Sequence, residues 1–262
     1  MKSEEERVPD RENTENIRET AGSGKAEMSG EAEKAVSLLC RRGLLAHVDM
    51  IEAVRRKNAQ ILYACEDGVM IYETDSRTCM IAADNLEPCR NILKKNTYHQ
   101  FAVHNRELAE EIQKEYHFST SVATSQAAWM KAEPPVFDDS GIIRLKPEHA
   151  EEVCSHYTTM EDPGEYVKEL ISRGQMWGMF QNGNLAGFVG EHLEGSMGLL
   201  EVVPEYRRQG IGLRLESYLI RHFTEQGRIP FCQIIEGNDE SMNLQKKLGM
   251  EIAAPPTWWL FD

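Results

Sequence analysis

Basic residues are scarce in this chain. Only 29 Lys and Arg stand against 43 Asp and Glu in 262 residues, a net charge of −14. So acidic a surface does not neutralise phosphates, which excludes a general nucleic-acid binder. It is also repelled by an anionic membrane leaflet. Cationic partners such as amines stay compatible with it. Long apolar runs are missing too: no stretch approaches the roughly 18 apolar residues of a membrane span. Met1-Lys2-Ser3-Glu4-Glu5-Glu6 has no apolar run behind it, so no signal peptide is expected and the chain reads as cytoplasmic. The six cysteines (Cys40, Cys65, Cys79, Cys89, Cys154, Cys232) contain no Cys-x-x-Cys pair. They read as reduced thiols, mostly buried, with neither disulfides nor a metal centre. His192-x-Glu194 lacks the following Pro-Cys-x-x-Cys of a zinc deaminase, so no metal is expected there either.

What is present is enough apolar sequence, 41% of residues, to bury a core over one or two domains. Residues 1–33 hold ten acids against five bases and few apolar side chains, the composition of a disordered acidic tail. Order is expected from about Lys34. Helical spacing carries Val36 and Leu39, then Val48, Ile51 and Val54. The period then changes to strands at 60–64 and 69–72 around Glu66-Asp67-Gly68, with a third strand at 78–82. A helix after the cap Asn105 places Leu108, Ile112 and Tyr116 four apart, and a strand near 121–129 closes this half. Residues 132–140 have linker composition. The second half, 141–262, reads as β-α-α-β-β-β-α-β-α-β, including a hairpin at Asn182-Gly183. The expected fold class is α+β: a mixed, mostly antiparallel central sheet flanked by helices, preceded by a smaller α/β domain at 34–131.

The segment that carries chemistry is Val202-Val203-Pro204-Glu205-Tyr206-Arg207-Arg208-Gln209-Gly210-Ile211-Gly212. A strand ends, a basic turn follows, and two glycines open an amphipathic helix with Ile211, Leu215, Leu219 and Phe223 on one stripe. Unpaired N–H groups and a partial positive charge at a helix N-terminus suit a phosphate. Downstream stand Asn238-Asp239-Glu240-Ser241 and Leu248-Gly249-Met250. Together these motifs resemble the GNAT superfamily of N-acetyltransferases over about residues 141–262. Arg207-x-x-Gly210-x-Gly212 matches its pyrophosphate motif, and Asn238-x-x-Ser241 with Leu248-Gly249 its next one. Within the superfamily the chain looks most similar to glycine N-acyltransferase-like proteins, whose N-terminal half is a degenerate copy of the same fold. Residues 34–131 could be such a copy.

The resemblance implies acetyl-CoA, or another acyl-CoA, in a cleft where two strands splay, with no metal. The N–H groups of Arg208, Gln209, Gly210, Ile211 and Gly212, assisted by Arg207, would hold the pyrophosphate. The backbone of Leu200–Val203, including Val202, would pair with the pantetheine arm, and an N–H near Val203 would polarise the thioester carbonyl. Asn238 would contact the pantetheine, and Ser241 could order a water. An alkylammonium must lose a proton before it attacks, which asks for a base. Glu191, Glu194 and Glu201 are the candidates, with Glu194 preferred and Glu201 next. The position most often acidic in that branch falls on Ser196, on the same strand face as Glu194. In many members of the superfamily a tyrosine protonates the leaving thiolate, and the matching position here is Gln245, an amide that cannot serve as a general acid. Trp258 and Trp259 alternate on a late strand, so one is expected inward and the other along a substrate wall.

Three functions fit this sequence. The first is transfer of an acetyl group to a primary amine of a small molecule, an amino acid among the options. The second is a CoA-binding sensor or pseudoenzyme, favoured by Gln245 and Ser196. The third is acetylation of a protein amine, which needs an open peptide groove.

Overall fold

The computed structural model describes residues 28–160 and 162–262. The acidic segment assigned to a tail therefore lies, up to residue 27, outside the described residues. Helix α1 (Gly30–Gly43) starts four residues before Lys34. Its N-cap Ser29 accepts the Ala32 N–H at 3.3 Å. Glu31 and Glu33 lie in its first turn and Arg41 and Arg42 in its last, each suited to the helix dipole. The acids that read as tail are thus partly the start of this helix.

The first half continues with α2 (Val48–Arg55), β1 (Ala59–Cys65), β2 (Gly68–Glu73) and β3 (Thr78–Ala83). It ends with the single turn α3 (Arg90–Leu93), β4 (Gln100–Val103), α4 (Arg106–Tyr116) and β5 (Thr120–Ala128). The second half runs β6 (Ile142–Arg144), α5 (Ala150–His156), α6 (Gly164–Ser172), β7 (Met176–Gln181), β8 (Asn184–Glu191) and β9 (Met197–Val202). Then come α7 (Ile211–Glu225), β10 (Phe231–Ile235), α8 (Asp239–Leu248), β11 (Glu251–Ile252) and β12 (Thr257–Phe261). Asn182 and Gly183 both take positive φ (52° and 85°), the geometry a two-residue hairpin requires.

All strands join one sheet in the order β1-β2-β3-β4-β12-β5-β10-β9-β8-β7-β6, with β11 beside β5. The halves are built into each other. The last strand of the chain, β12, lies between β4 and β5, pairing antiparallel with both. The last strand of the first half, β5, pairs with β10 of the second. Each half thus lends its final strand to the other, so neither sheet is complete alone. This placement corrects the expectation for the tryptophans. Trp259 is buried against α1 and α2 and Trp258 packs in the cluster under α4, three strands from β9.

Helices cover both faces of the sheet. In the second half Ile211, Leu215, Leu219 and Phe223 of α7 bury against Trp177, Val189 and Met197. Val153, Val167 and Leu170 of α5 and α6 bury against Phe188 and Leu199 on the other face. The 132–140 segment is tied to α7: Arg214 Nη2 donates to the Ser140 carbonyl (2.8 Å) and Arg221 Nη2 to Asp139 Oδ2 (2.6 Å).

Candidate functional site

Strands β9 and β10 are parallel, yet they pair at one position, Met197 with Cys232, and then part. The corresponding parallel pair of the first half, β3 and β4, stays joined through three successive positions. The open fork is bordered by β9 residues that remain held on their other side by β8. Two of them, Leu199 and Leu200, stand opposite Val189 alone, and Leu199 takes φ +52°. This bulge sits beside the fork, a place where bulges commonly re-aim side chains.

The bulge sets which groups face which way. Leu200 and Val202 pack toward α7, whereas Leu199 packs toward α5 and α6. The N–H of Val203 donates to the Ala186 carbonyl on β8 at 3.0 Å. It is therefore occupied and turned away from the fork, so an N–H near Val203 that faces the fork belongs to a neighbouring residue. Strand N–H groups alternate, so those of Leu200 and Val202 point into the fork.

At the open end of the fork lies the basic turn. Pro204–Tyr206 makes one tight helical turn, Arg208 takes φ +61°, and Gly210 caps α7 at φ +79°. No side chain caps the N-terminus of α7, so its first N–H groups are unspent. A Cβ on Gly210 would meet nothing within 4 Å, so glycine serves here for its backbone angle and leaves open space in front. A Cβ on Gly212 would only touch Leu200 and Val202 at 3.6 Å. Arg207, Arg208, Gln209 and Gly210 are exposed. Arg207 folds back so that Nε donates to the Val202 carbonyl (3.1 Å) and Nη2 lies 3.4 Å from Glu201 Oε1. An uncapped, glycine-opened, basic helix start at the mouth of a forked sheet fits a diphosphate with an extended arm behind it.

Across the fork, Asn238 caps α8. Its Oδ1 accepts the Ser241 N–H at 3.0 Å, which leaves its amide NH2 available. Gln245 is buried, and its Nε2 lies 3.4 Å from Oε1 of Glu216, a carboxyl on α7. Burial raises Glu216 to about 7, with Gln245 pulling weakly the other way.

The face of β9 that meets α5 and α6 carries the carboxylates. Glu201 is half-buried; desolvation raises its pKa and the charge of Arg207 opposes that. Glu194 and Ser196 are brought together in the tight β8–β9 turn, where the Ser196 hydroxyl donates to Glu194 Oε1 at 2.5 Å. Both are buried. Arginines from outside the turn hold its backbone. Arg56, at the end of α2, donates to the Glu194 carbonyl, and Arg228 Nη2 donates to the Gly195 carbonyl at 2.9 Å. Arg228 also pairs with buried Glu191 at 2.7 Å, which spends that carboxylate on structure. Two further residues belong to this cluster: Tyr166, and His192, which the sequence offered only as half of an incomplete metal motif. Tyr166 Oη lies 2.7 Å from His192 Nδ1, and their rings stack. The spacing of 26 residues between them and the α6 stripe around Tyr166 hide the pair, because only the fold brings it together. Among the described residues no group of His, Cys, Asp and Glu is arranged to hold a metal ion. No described helix is long and apolar enough to cross a membrane.

Residues 176–259 match the family model described as FR47-like protein. That span contains the fork, the basic turn and both edges of the candidate site. No curated protein matches the chain. Among solved structures, a Drosophila protein superposes over 88% of this chain and 96% of its own, with 13% identity and a TM-score of 0.64. An acetyltransferase of the GNAT family from Colwellia psychrerythraea covers 77% of this chain and 84% of its own at 15% identity, with a TM-score of 0.49. A GCN5-related N-acetyltransferase from Kribbella flavida covers 87% and 95% at 15% identity, with a TM-score of 0.47. The chain thus has a mixed, helix-flanked sheet of the same fold as the Drosophila protein, and its residues 176–259 are similar to the FR47-like family.

Proposed function

We propose that the protein is an acyl-CoA-dependent N-acyltransferase that moves an acetyl group from acetyl-CoA to a primary amine of a small molecule, an amino acid included. The observation that carries this reading is the fork: β9 and β10 pair once and part, and an uncapped helix start at Gly210 stands at the opening. The N–H groups of Arg208 to Gly212 bind the pyrophosphate, and the β9 edge at Leu200 and Val202 hydrogen-bonds the pantetheine arm. With the Val203 N–H held by Ala186, the carbonyl-polarising N–H of the strand is that of Leu200. Asn238 offers its free amide to the arm, and Ser241 lies one turn along.

The amine enters from the α5 and α6 face, where Glu194, Glu201 and Ser196 make the surroundings attractive to a cation. Glu194, fixed by Ser196, accepts the proton that the ammonium must lose, directly or through water. Glu201, nearer the open end and paired with Arg207, orients the acceptor. The thiol of CoA leaves as thiolate, because a thiol of pKa about 8.5 needs no strong acid to depart. Gln245, buried and bound to Glu216, takes no part in that step.

The first half serves as a closed counterpart. It repeats the order α-α-β-β-β-α-β-α-β, but its parallel strands stay joined and its helix at the turn is one turn long. This supports its reading as a degenerate copy without a cofactor cleft.

The test is thiol release from acetyl-CoA over a panel of primary amines, with Gly210→Asp as the control. Turnover with at least one amine, lost in the control, supports the assignment. Tight acetyl-CoA binding with no turnover for any amine supports instead a CoA-binding sensor, a reading that Gln245 at the position of the family's acidic tyrosine favours.

A further inference from the structure

The proposed acyl transfer lacks a side-chain electrophile. The Val203 N–H is spent on β8, and Gln245 is spent on Glu216. One imidazole stands at the fork without an assigned task. His192 follows β8 directly, and its ring lies across β9 at Gly198: a Cβ on Gly198 would collide with Nε2 and Cδ2. Gly198 is next to Met197, the last β9 residue that β10 holds, and next to the bulge at Leu199. The Nε2 end of His192 is therefore at the point where the strands separate, on the face the amine would approach.

The Tyr166 hydroxyl lies 2.7 Å from His192 Nδ1 and is placed to donate to it. Burial and the nearby Glu194 charge push the Tyr166 pKa well up, so the phenol keeps that proton to donate. With Nδ1 an acceptor, the ring hydrogen of a neutral His192 is on Nε2. Nε2 makes no hydrogen bond within the protein among the described residues. A neutral imidazole with an N–H held toward a reacting carbonyl can polarise it without transferring a proton.

We propose that His192 is an electrophile of this site, its Nε2–H donating a hydrogen bond to the thioester carbonyl oxygen of bound acetyl-CoA, with Tyr166 as its positioning residue. The assignment rests on the acyltransferase reading. The amine lone pair forms the new C–N bond while the carbonyl π pair moves onto oxygen, where Nε2–H meets it. That pair returns as the C–S bond breaks, and sulfur leaves with the bonding electrons as thiolate. Glu194 takes the ammonium proton before attack, and the second proton, shed by nitrogen once the C–N bond has formed, passes to solvent water. His192 begins and ends neutral.

The test combines imidazole nitrogen NMR with kinetics. In the ligand-free protein the His192 signals should report hydrogen on Nε2, and Tyr166→Phe should convert them to a tautomer mixture. Acetyl-CoA should shift the Nε2 signal more than CoA does, because only the former carries the carbonyl. His192→Ala should lower kcat about 100-fold with the KM for acetyl-CoA changed less than about twofold, the loss expected for one oxyanion donor. His192→Gln, which keeps a donor, should recover part of it. Hydrogen on Nδ1, equal shifts with the two ligands, or a wild-type kcat in His192→Ala would each overturn the proposal while leaving the acyltransferase reading intact. Failure of the wild-type protein to bind acetyl-CoA would overturn that reading itself, and this assignment with it.

Discussion

The guanidinium of Arg56, from the first half of the chain, donates to the main-chain carbonyl of Glu194 in the second. It also lies flat against Gly195, at φ +96°, where any Cβ would strike it. The turn that presents Glu194 and Ser196 is thus held from outside its own domain. Removing Arg56 leaves a buried carbonyl without a donor, at a cost of about 1–3 kcal/mol. Arg56→Ala should lower kcat with amines about tenfold while the affinity for acetyl-CoA stays within about twofold, since the Gly210 turn is untouched. Arg56→Lys should recover part of the loss. Steady-state kinetics beside calorimetric binding checks this. Weakened acetyl-CoA binding with unchanged kcat would contradict it.

Gly210 offers a cleaner cut at the cofactor side. Its φ of +79° is a left-handed angle that Asp tolerates better than most residues, and its Cβ direction is open. Gly210→Asp should therefore fold, with a thermal midpoint close to the wild type. It places a carboxylate in front of the unspent N–H groups of α7. The affinity for acetyl-CoA should fall at least about tenfold, as titration calorimetry would read. A midpoint loss without an affinity loss would contradict the role given to the turn.

Glu216 makes stability depend on pH. Burial raises its pKa from 4.5 to about 7, so the folded chain keeps a proton that the unfolded chain releases. Its contribution to stability falls as pH rises from about 4.5 to about 7 and stays unfavourable above. Glu216→Gln should leave stability at pH 4 nearly unchanged and raise it at pH 8 by up to about 3 kcal/mol. Denaturant unfolding at the two pH values decides; an equal effect at both would contradict the assigned shift.

The exchanged strands predict one folding unit. Residues 141–262 alone would lack β5 against β10 and would leave β12 without both neighbours. That piece should fail to unfold cooperatively, whereas the full chain should melt in a single calorimetric transition. Two separate transitions, or a cooperative 141–262 fragment, would contradict this.

How much of this was legible beforehand depends on whether a signal is local. The Asn182-Gly183 hairpin, the α7 stripe and the cap Asn105 are written in neighbouring residues, and the structure has them where expected. The Arg207-x-x-Gly210-x-Gly212 turn was legible because the left-handed backbone angle at Gly210 favours glycine. The strand exchange was not, since β12 reads the same whichever half it joins. Nor was β4, four residues too short for a clear period. Which N–H near Val203 faces the fork was not legible, because the bulge at Leu199 has no sequence mark. Tyr166 with His192, and Arg56 with Glu194, meet only through the tertiary fold.

On the proposed function, acetyl-CoA lies in the β9–β10 fork with its diphosphate on the start of α7. Backbone amide NMR during an acetyl-CoA titration tests it most directly. Saturable shifts are expected at Leu200 and Val202 and at Arg208 to Gly212, while amides along β3 and β4 do not move. Absence of shifts at those β9 and α7 amides, or shifts centred on the first half of the chain, would contradict it.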